Sequence, residues 1–250
     1  MKIIIKSLLI SFAIALSLSC FTSYASAEED LYIQEWVVDA YLMDNGNLQI
    51  SEDITFEFNE EYNGVYRDIV LNKTSGVSDI MVSDIMVQEL TNSTVVDYTL
   101  ANKARNGDLG VYTIKEKNNK VIIKIFSPSE DEKKTFRISY IVHNVAVKYK
   151  DTGELYYKFL GKDNKTPIGS FIININLPEE DNDSKVKIFA HGPLNGKINK
   201  VNDKLYQLVV NKISSNTFVE GRVLFPADFI INSKNYQNID RYEDIIHEEN

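Results

Sequence analysis

Two neighbouring segments of the chain alternate strictly between apolar and polar residues, on either side of Asn45-Gly46. The apolar residues of the two arms are Trp36, Val38, Ala40 and Leu42, then Leu48, Ile50, Ile54, Phe56 and Phe58. A period of two is typical of β-strands that bury one face. Asn-Gly accepts the positive φ angles of a tight type I′ turn. The pattern therefore predicts a β-hairpin with one face in a core.

Short alternating segments continue along the chain almost to residue 229. They cover residues 111–117, 120–126, 135–147, 168–177, 185–190, 196–201, 205–211 and 217–225. Strands of this length and spacing, with hardly any helical pattern between them, indicate an all-β fold, an antiparallel β-sandwich. We expect one ectodomain over residues 28–228, or two stacked lobes that meet near residue 150, at Lys150-Asp151-Thr152-Gly153.

Residues 229–250 form a polar, acidic tail. Ile239, Tyr242, Ile245 and Ile246 have roughly helical spacing near its end. Short helices are marginal on their own in water, so this pattern is compatible with a short helix or with a disordered tail.

Residues 1–27 have the composition of a secretory signal peptide. Lys2 and Lys6 precede an apolar stretch over residues 3–18, and Ala25-Ser26-Ala27 predicts cleavage before Glu28. Cys20 raises the alternative of a lipoprotein, but Ser17 stands where a lipoprotein signal carries an aliphatic residue, so simple cleavage is favoured. We therefore expect an exported bacterial protein, extracellular or on the outer face of the cytoplasmic membrane.

The predicted mature chain is acidic and has no cysteine, because Cys20 is the only one in the sequence. Removal of two lysines and no acidic residue changes the formal net charge from −9 to −11. This excess of carboxylates argues against nucleic-acid binding, which depends on clustered lysine and arginine. After the signal peptide no apolar run reaches the length of a transmembrane helix.

No catalytic, cofactor-binding or metal-binding motif is apparent. The three histidines lie far apart, and acidic pairs such as Glu60-Glu61 fall in predicted loops. Tyr149, Tyr156 and Tyr157 form an aromatic cluster that could stack on a sugar, although strand tyrosines more often pack in cores.

Glu52 and Arg67 interrupt the apolar phase of their strands. Glu52 lies between Ile50 and Ile54, and Arg67 lies between Val65 and Ile69. An isolated buried charge costs several kcal/mol, so each needs a partner or access to water. We predict that the two side chains form a structural ion pair across neighbouring strands; the alternative is that each reaches solvent at a strand end.

Several of these motifs, in this order, resemble the YciQ-like predicted membrane proteins, whose extracytoplasmic N-terminal domain of unknown function is named DUF2207. The motifs include Trp36-Val37-Val38-Asp39-Ala40, Asn63-Gly64-Val65-Tyr66-Arg67-Asp68-Ile69, Phe136-Arg137-Ile138-Ser139-Tyr140 and Ile175-Asn176-Leu177-Pro178. The resemblance implies a β-rich ectodomain followed by a C-terminal membrane anchor. This chain stops at Asn250 before any anchor, as expected of a freely secreted member or of a fragment. The family supplies no catalytic residues to transfer.

Export, an all-β scaffold and the lack of a catalytic motif favour a non-enzymatic envelope module that binds a protein or a glycan. An enzyme acting on cell-wall glycan through carboxylates is the first alternative. A structural spacer is the second.

Overall fold

The computed structural model describes residues 29–71, 79–91, 94–117 and 119–250. The predicted signal peptide, its cleavage point and Cys20 lie outside these residues. Strand accounts for 58% of the structure and helix for 6%, which confirms the predicted all-β class.

The described residues form the following strands and helices: β1 (Leu31–Leu42), β2 (Leu48–Phe58), β3 (Tyr62–Val70), β4 (Met81–Leu90), β5 (Val95–Asp97), β6 (Thr99–Leu100), β7 (Val111–Lys117), β8 (Lys120–Ser129), β9 (Glu132–His143), β10 (Ala146–Lys148), β11 (Gly153–Leu160), β12 (Ile168–Asn176), β13 (Lys187–His191), β14 (Lys197–Lys200), β15 (Leu205–Ile213), β16 (Val219–Phe225), a 3-10 helix (Ala227–Ile230) and α1 (Tyr242–Glu249).

The strands form one large sheet and two small ones. Sheet A has the order β14-β15-β12-β1-β2-β9-β4-β5, sheet B the order β3-β8-β7-β6, and sheet C the order β10-β11-β16-β13. Most neighbours are antiparallel; β1 and β12, like β6 and β7, are parallel. Because β1 and β12 share a sheet, strands from both sides of residue 150 pair directly. The larger hydrophobic core contains buried residues from all three sheets.

The opening hairpin has the predicted pairing and the predicted buried face. β1 and β2 are antiparallel, with Trp36 opposite Ile54 and Leu42 opposite Leu48. The six residues that the alternation marks most clearly for the core are all buried: Trp36, Val38, Ile50, Ile54, Phe56 and Phe58. Burial on alternate positions follows from the pleat, which sends successive side chains to opposite faces.

The turn of this hairpin differs from the predicted type I′ turn. Of the residues between β1 and β2, only Gly46 has a positive φ, +79°, whereas a type I′ turn needs two such residues. The Gly46 N–H donates to the Met43 carbonyl, and the Asn45 side chain accepts from the Asn47 N–H. The loop is therefore a wider turn that ends on a left-handed glycine.

The C-terminal residues are ordered against the sandwich. Of the two alternatives for this segment, the structure has the helix, α1, and its Ile245 is fully buried. Among the residues that the structure describes, no helix is both long enough and apolar enough to cross a membrane.

Candidate binding pocket and its buried ion pair

A pocket of about 460 Å³ lies between strand β3 and residues 160–166. β3 is the edge strand of sheet B, and no backbone ladder joins it to sheet C. On its inner side the pocket reaches sheet A at Ile33, Trp36, Ile54 and Phe56, which are buried. The pocket walls are mostly apolar and include Leu31, Ile33, Trp36, Ile54, Phe56, Val65 and Leu160.

Among the residues that the structure describes, β3 has no strand partner on the side opposite β8. The Leu71 N–H donates to the Asn119 carbonyl at 2.9 Å, which fixes the phase of the ladder between β3 and β8. In antiparallel strands only alternate residues bond to a given neighbour. The N–H groups of Tyr66, Asp68 and Val70 therefore point away from β8, and all three residues line the pocket.

Arg67, which lines the pocket, forms a bidentate ion pair with Glu52. Arg67 Nε and Nη2 donate to the two Glu52 carboxylate oxygens, each at 2.6 Å. The side chains are only 1% and 4% exposed, so neither charge reaches bulk water. Glu52 comes from β2 in sheet A and Arg67 from β3 in sheet B. The pair thus connects two layers of the sandwich, instead of the neighbouring strands of one sheet that the sequence predicts.

Further polar groups complete the surroundings of this pair. Arg67 Nη2 also donates to the Phe159 carbonyl of sheet C at 3.1 Å, and Nη1 donates to the Asp68 carbonyl. The Tyr140 hydroxyl donates to Glu52 Oε1 at 2.5 Å. The Arg67 guanidinium carbon lies 4.8 Å from the centre of the Trp36 ring, a cation–π distance. These bonds compensate much of the desolvation of the two charges.

The pKa values around the pair shift in the directions that this environment requires. Burial lowers the pKa of Arg67, but the adjacent Glu52 charge outweighs it, so the guanidinium stays charged. Burial and the Glu52 charge raise the pKa of Tyr140 well above its ordinary value. Tyr140 is therefore a neutral hydrogen-bond donor at physiological pH.

A lysine held between two carboxylates forms the polar rim of the pocket. Lys120 Nζ lies 2.9 Å from Asp68 Oδ2 and 2.5 Å from Asp163 Oδ2. The hydrogen bond from Lys120 lowers the pKa of Asp163. Sequence reasoning missed this group, because Asp68 and Lys120 look like ordinary solvated charges on adjacent strands. The one signal in the sequence is the alternation of each strand. Asp68 is out of phase with Arg67 and Lys120 is out of phase with Val121, which places Asp68 and Lys120 on the same face of sheet B.

The three tyrosines singled out from the sequence do not form one exposed cluster. Tyr157 is only 5% exposed and packs edge-on against Phe159 in the core. Tyr156, the residue before it in β11, faces the opposite side of sheet C. Tyr149 is 2% exposed and donates to Glu154. The expected ligand-facing role therefore does not fit Tyr149 or Tyr157, since both are enclosed by protein.

The comparisons with known proteins identify a family and a distant fold likeness. The family model of the N-terminal domain of DUF2207 predicted membrane proteins matches residues 32–225. No curated protein matches the chain. Yeast LTA4 hydrolase in complex with bestatin has a TM-score of 0.45 at 9% identity, over 82% of this chain and 32% of that chain. An M1 zinc metallopeptidase from Deinococcus radiodurans has a TM-score of 0.38 at 12% identity, over 79% of this chain and 42% of that chain. This chain spans less than half of either protein, and likenesses at these scores carry no argument about activity.

Proposed function

The chain belongs to the DUF2207 family of predicted membrane proteins, and from this premise we propose that it is a non-enzymatic binding module outside the cytoplasmic membrane. Its ligand is an extended segment of another envelope protein. The segment pairs with the outward N–H groups of β3 and places an apolar side chain in the pocket. The observation that carries this proposal is the apolar pocket running along β3, which is an edge strand among the described residues and whose N–H groups at Tyr66, Asp68 and Val70 point away from β8.

Three properties of the pocket support a peptide ligand. Its volume of about 460 Å³ falls in the usual range of ligand pockets, about 300–1,000 Å³. Its walls are apolar, which suits an aliphatic or aromatic side chain better than a sugar. The outward N–H groups of Tyr66 and Asp68 match the carbonyl spacing of an added strand, the basis of β-augmentation.

One observation bears on the alternative of a glycan-cleaving enzyme. Asp68 and Asp163 lie at the pocket rim and share Lys120. Glycosidases use two carboxyl groups, of which one must stay protonated to act as the acid. Lys120 lies between the two rim carboxylates and pairs with both of them, which supports a structural role for this pair over a role in hydrolysis.

The experiment selects peptides from a random display library on the mature chain and measures their affinity by fluorescence anisotropy. Tyr66→Pro removes one outward N–H and obstructs the edge, while the β3–β8 ladder keeps its bonds. We expect this variant to bind about tenfold more weakly or worse, since a backbone hydrogen bond is lost and the added strand is obstructed. Tyr66→Ala is the matched control: it removes the same side chain but keeps the N–H, so Tyr66→Pro should bind clearly more weakly than Tyr66→Ala.

A second pair of variants tests the pocket without touching β3. Leu31→Arg places a charge at the pocket wall, whereas Tyr41→Arg adds the same charge at the other, exposed end of β1. Peptide binding should fall only for Leu31→Arg. Equal effects of the two arginines, or failure to select any peptide, would contradict the proposal. Cleavage of cell-wall glycan fragments by the mature chain would establish the enzyme instead.

A further inference from the structure

Helix α1 covers the outer face of sheet C, away from the pocket. Ile245 is fully buried there in a small apolar cluster with Val147, Tyr149 and Leu224. Tyr242 and Ile246 pack partly against the same cluster. The contact is therefore an aliphatic side chain inserted into a shallow apolar site on the sheet.

Arg222 and His191, beside this apolar site, bind carboxylates of the helix. Arg222 of β16 donates to Glu249 Oε1 at 2.8 Å and to Glu248 Oε2 at 2.9 Å. His191 Nε2 lies 2.9 Å from Glu249 Oε2. Arg222 also pairs with the buried Glu154 at 2.7 Å, which fixes the guanidinium on the sheet independently of the helix.

The helix depends on the sheet for its own formation. It has only eight residues, and helices shorter than about 12–15 residues are marginal alone in water. Its N-terminus has no capping side chain of its own. Instead, the Asp151 carboxylate accepts from the backbone N–H groups of Arg241 and Tyr242, at 2.9 and 3.0 Å. The surface thus supplies the cap, the apolar contact and the countercharge.

The segment also lies outside the part of the chain that the family model matches, which ends at residue 225. A surface of the family domain is therefore occupied by residues from beyond it. The occupying residues have a defined pattern: Ile245 is followed three and four positions later by Glu248 and Glu249, the spacing that places side chains on one face of a helix.

We propose that the outer face of sheet C is a docking site for an acidic amphipathic helix of a partner protein, and that α1 occupies it as an intramolecular ligand. The partner helix carries an aliphatic residue followed by carboxylates at the third and fourth positions. It takes the place of α1 by the helix-in-groove mode of recognition. The tethered α1 competes with it through its high effective concentration.

The test uses the full mature chain and a fluorescent peptide of residues 236–250. In the Ile245→Asp protein the helix loses its buried anchor, so the site becomes free. We expect the peptide to bind this variant about tenfold more tightly than the parent protein, in which α1 competes. Hydrogen exchange of residues 242–249 shows independently whether the helix has been released.

Peptide variants test the charge recognition without altering the protein. The E248Q/E249Q peptide should bind about tenfold more weakly, since the charge-assisted bonds from Arg222 to both carboxylates are lost. The E243Q/D244N peptide is the matched control: it also removes two charges, but not those of Glu248 and Glu249, which contact Arg222 and His191. It should bind like the parent peptide.

Three results would overturn the proposal. The first is the absence of peptide binding to a protein whose helix is released, at peptide concentrations up to about 1 mM. The second is equal binding to the parent and Ile245→Asp proteins, since α1 and the peptide would then not share a site. The third is an equal loss for the two charge-altered peptides, which would indicate non-specific electrostatic attraction.

Discussion

Breaking the Glu52–Arg67 ion pair should lower the unfolding free energy far more than the loss of the pair's two hydrogen bonds alone would. Glu52→Gln keeps the shape of the side chain, but leaves Arg67 charged and only 4% exposed. Arg67→Met leaves the Glu52 carboxylate in the same position. Removing one partner of a buried pair costs about 3–5 kcal/mol, because the remaining charge stays desolvated.

The size of this loss makes it easy to measure. Against a total stability of about 5–15 kcal/mol, it should lower the melting temperature by roughly 6–20 °C for a domain of this size. The assay is urea and thermal unfolding of the two single variants and the double variant. We expect the double variant to lose about 2–3 kcal/mol less unfolding free energy than the sum of the two single variants, since it leaves neither charge unpaired.

A more exposed ion pair, between Asp53 of β2 and Arg137 of β9, provides the matched control. Arg137 donates to Asp53 through two bonds of 2.6 Å, the same distances as in the buried pair. Its side chains are 40% and 32% exposed, so water screens the interaction. Breaking it by Asp53→Asn should cost only about 0–1 kcal/mol. The argument from burial is refuted if breaking either pair lowers the unfolding free energy by the same amount. It is also refuted if the effects of Glu52→Gln and Arg67→Met on that free energy are additive.

Two further predictions concern single residues of the sandwich. Gly64→Ala should lower the unfolding free energy by about 1–3 kcal/mol or more, because φ is +135° and a Cβ would overlap the Ile125 carbonyl. Gly107→Ala should lower it less, because φ is +95° but a Cβ there would meet open space. Burial acts to raise the pKa of Asp181, but hydrogen bonds from Tyr206 and from the backbone of residues 185 and 186 outweigh it and lower the pKa. A lowered pKa stabilises the fold fully above about pH 4, and this stability is lost as the pH falls through the lowered value. Asp181→Asn should therefore flatten the acid side of the melting-temperature profile, and an unchanged slope would contradict this reasoning.

Local patterns in the sequence were enough to predict the all-β class and the buried face of the opening hairpin. The alternation around Trp36 and Phe56 predicts their burial, because the pleat of a strand follows from the backbone alone. The same patterns marked Glu52 and Arg67 as unusual, since a charge in an apolar phase is costly wherever the strand lies. The predicted turn type was wrong, because the detail of a loop depends on hydrogen bonds such as the one from Gly46 to Met43.

The tertiary structure decided which distant residues meet. It brought Glu52 and Arg67 together across two sheets, placed Lys120 between Asp68 and Asp163, and set the α1 carboxylates on Arg222. It also left a gap between sheets B and C, which creates the pocket. The sequence predicted that Glu52 and Arg67 pair, but not that they join two sheets, and the other contacts do not follow from periodicity, because a period of two fixes the face on which a side chain lies but not the strand or layer opposite it. The sequence by itself determined the composition of each face; the order of the strands, with β1 parallel to β12, determined which faces form a site.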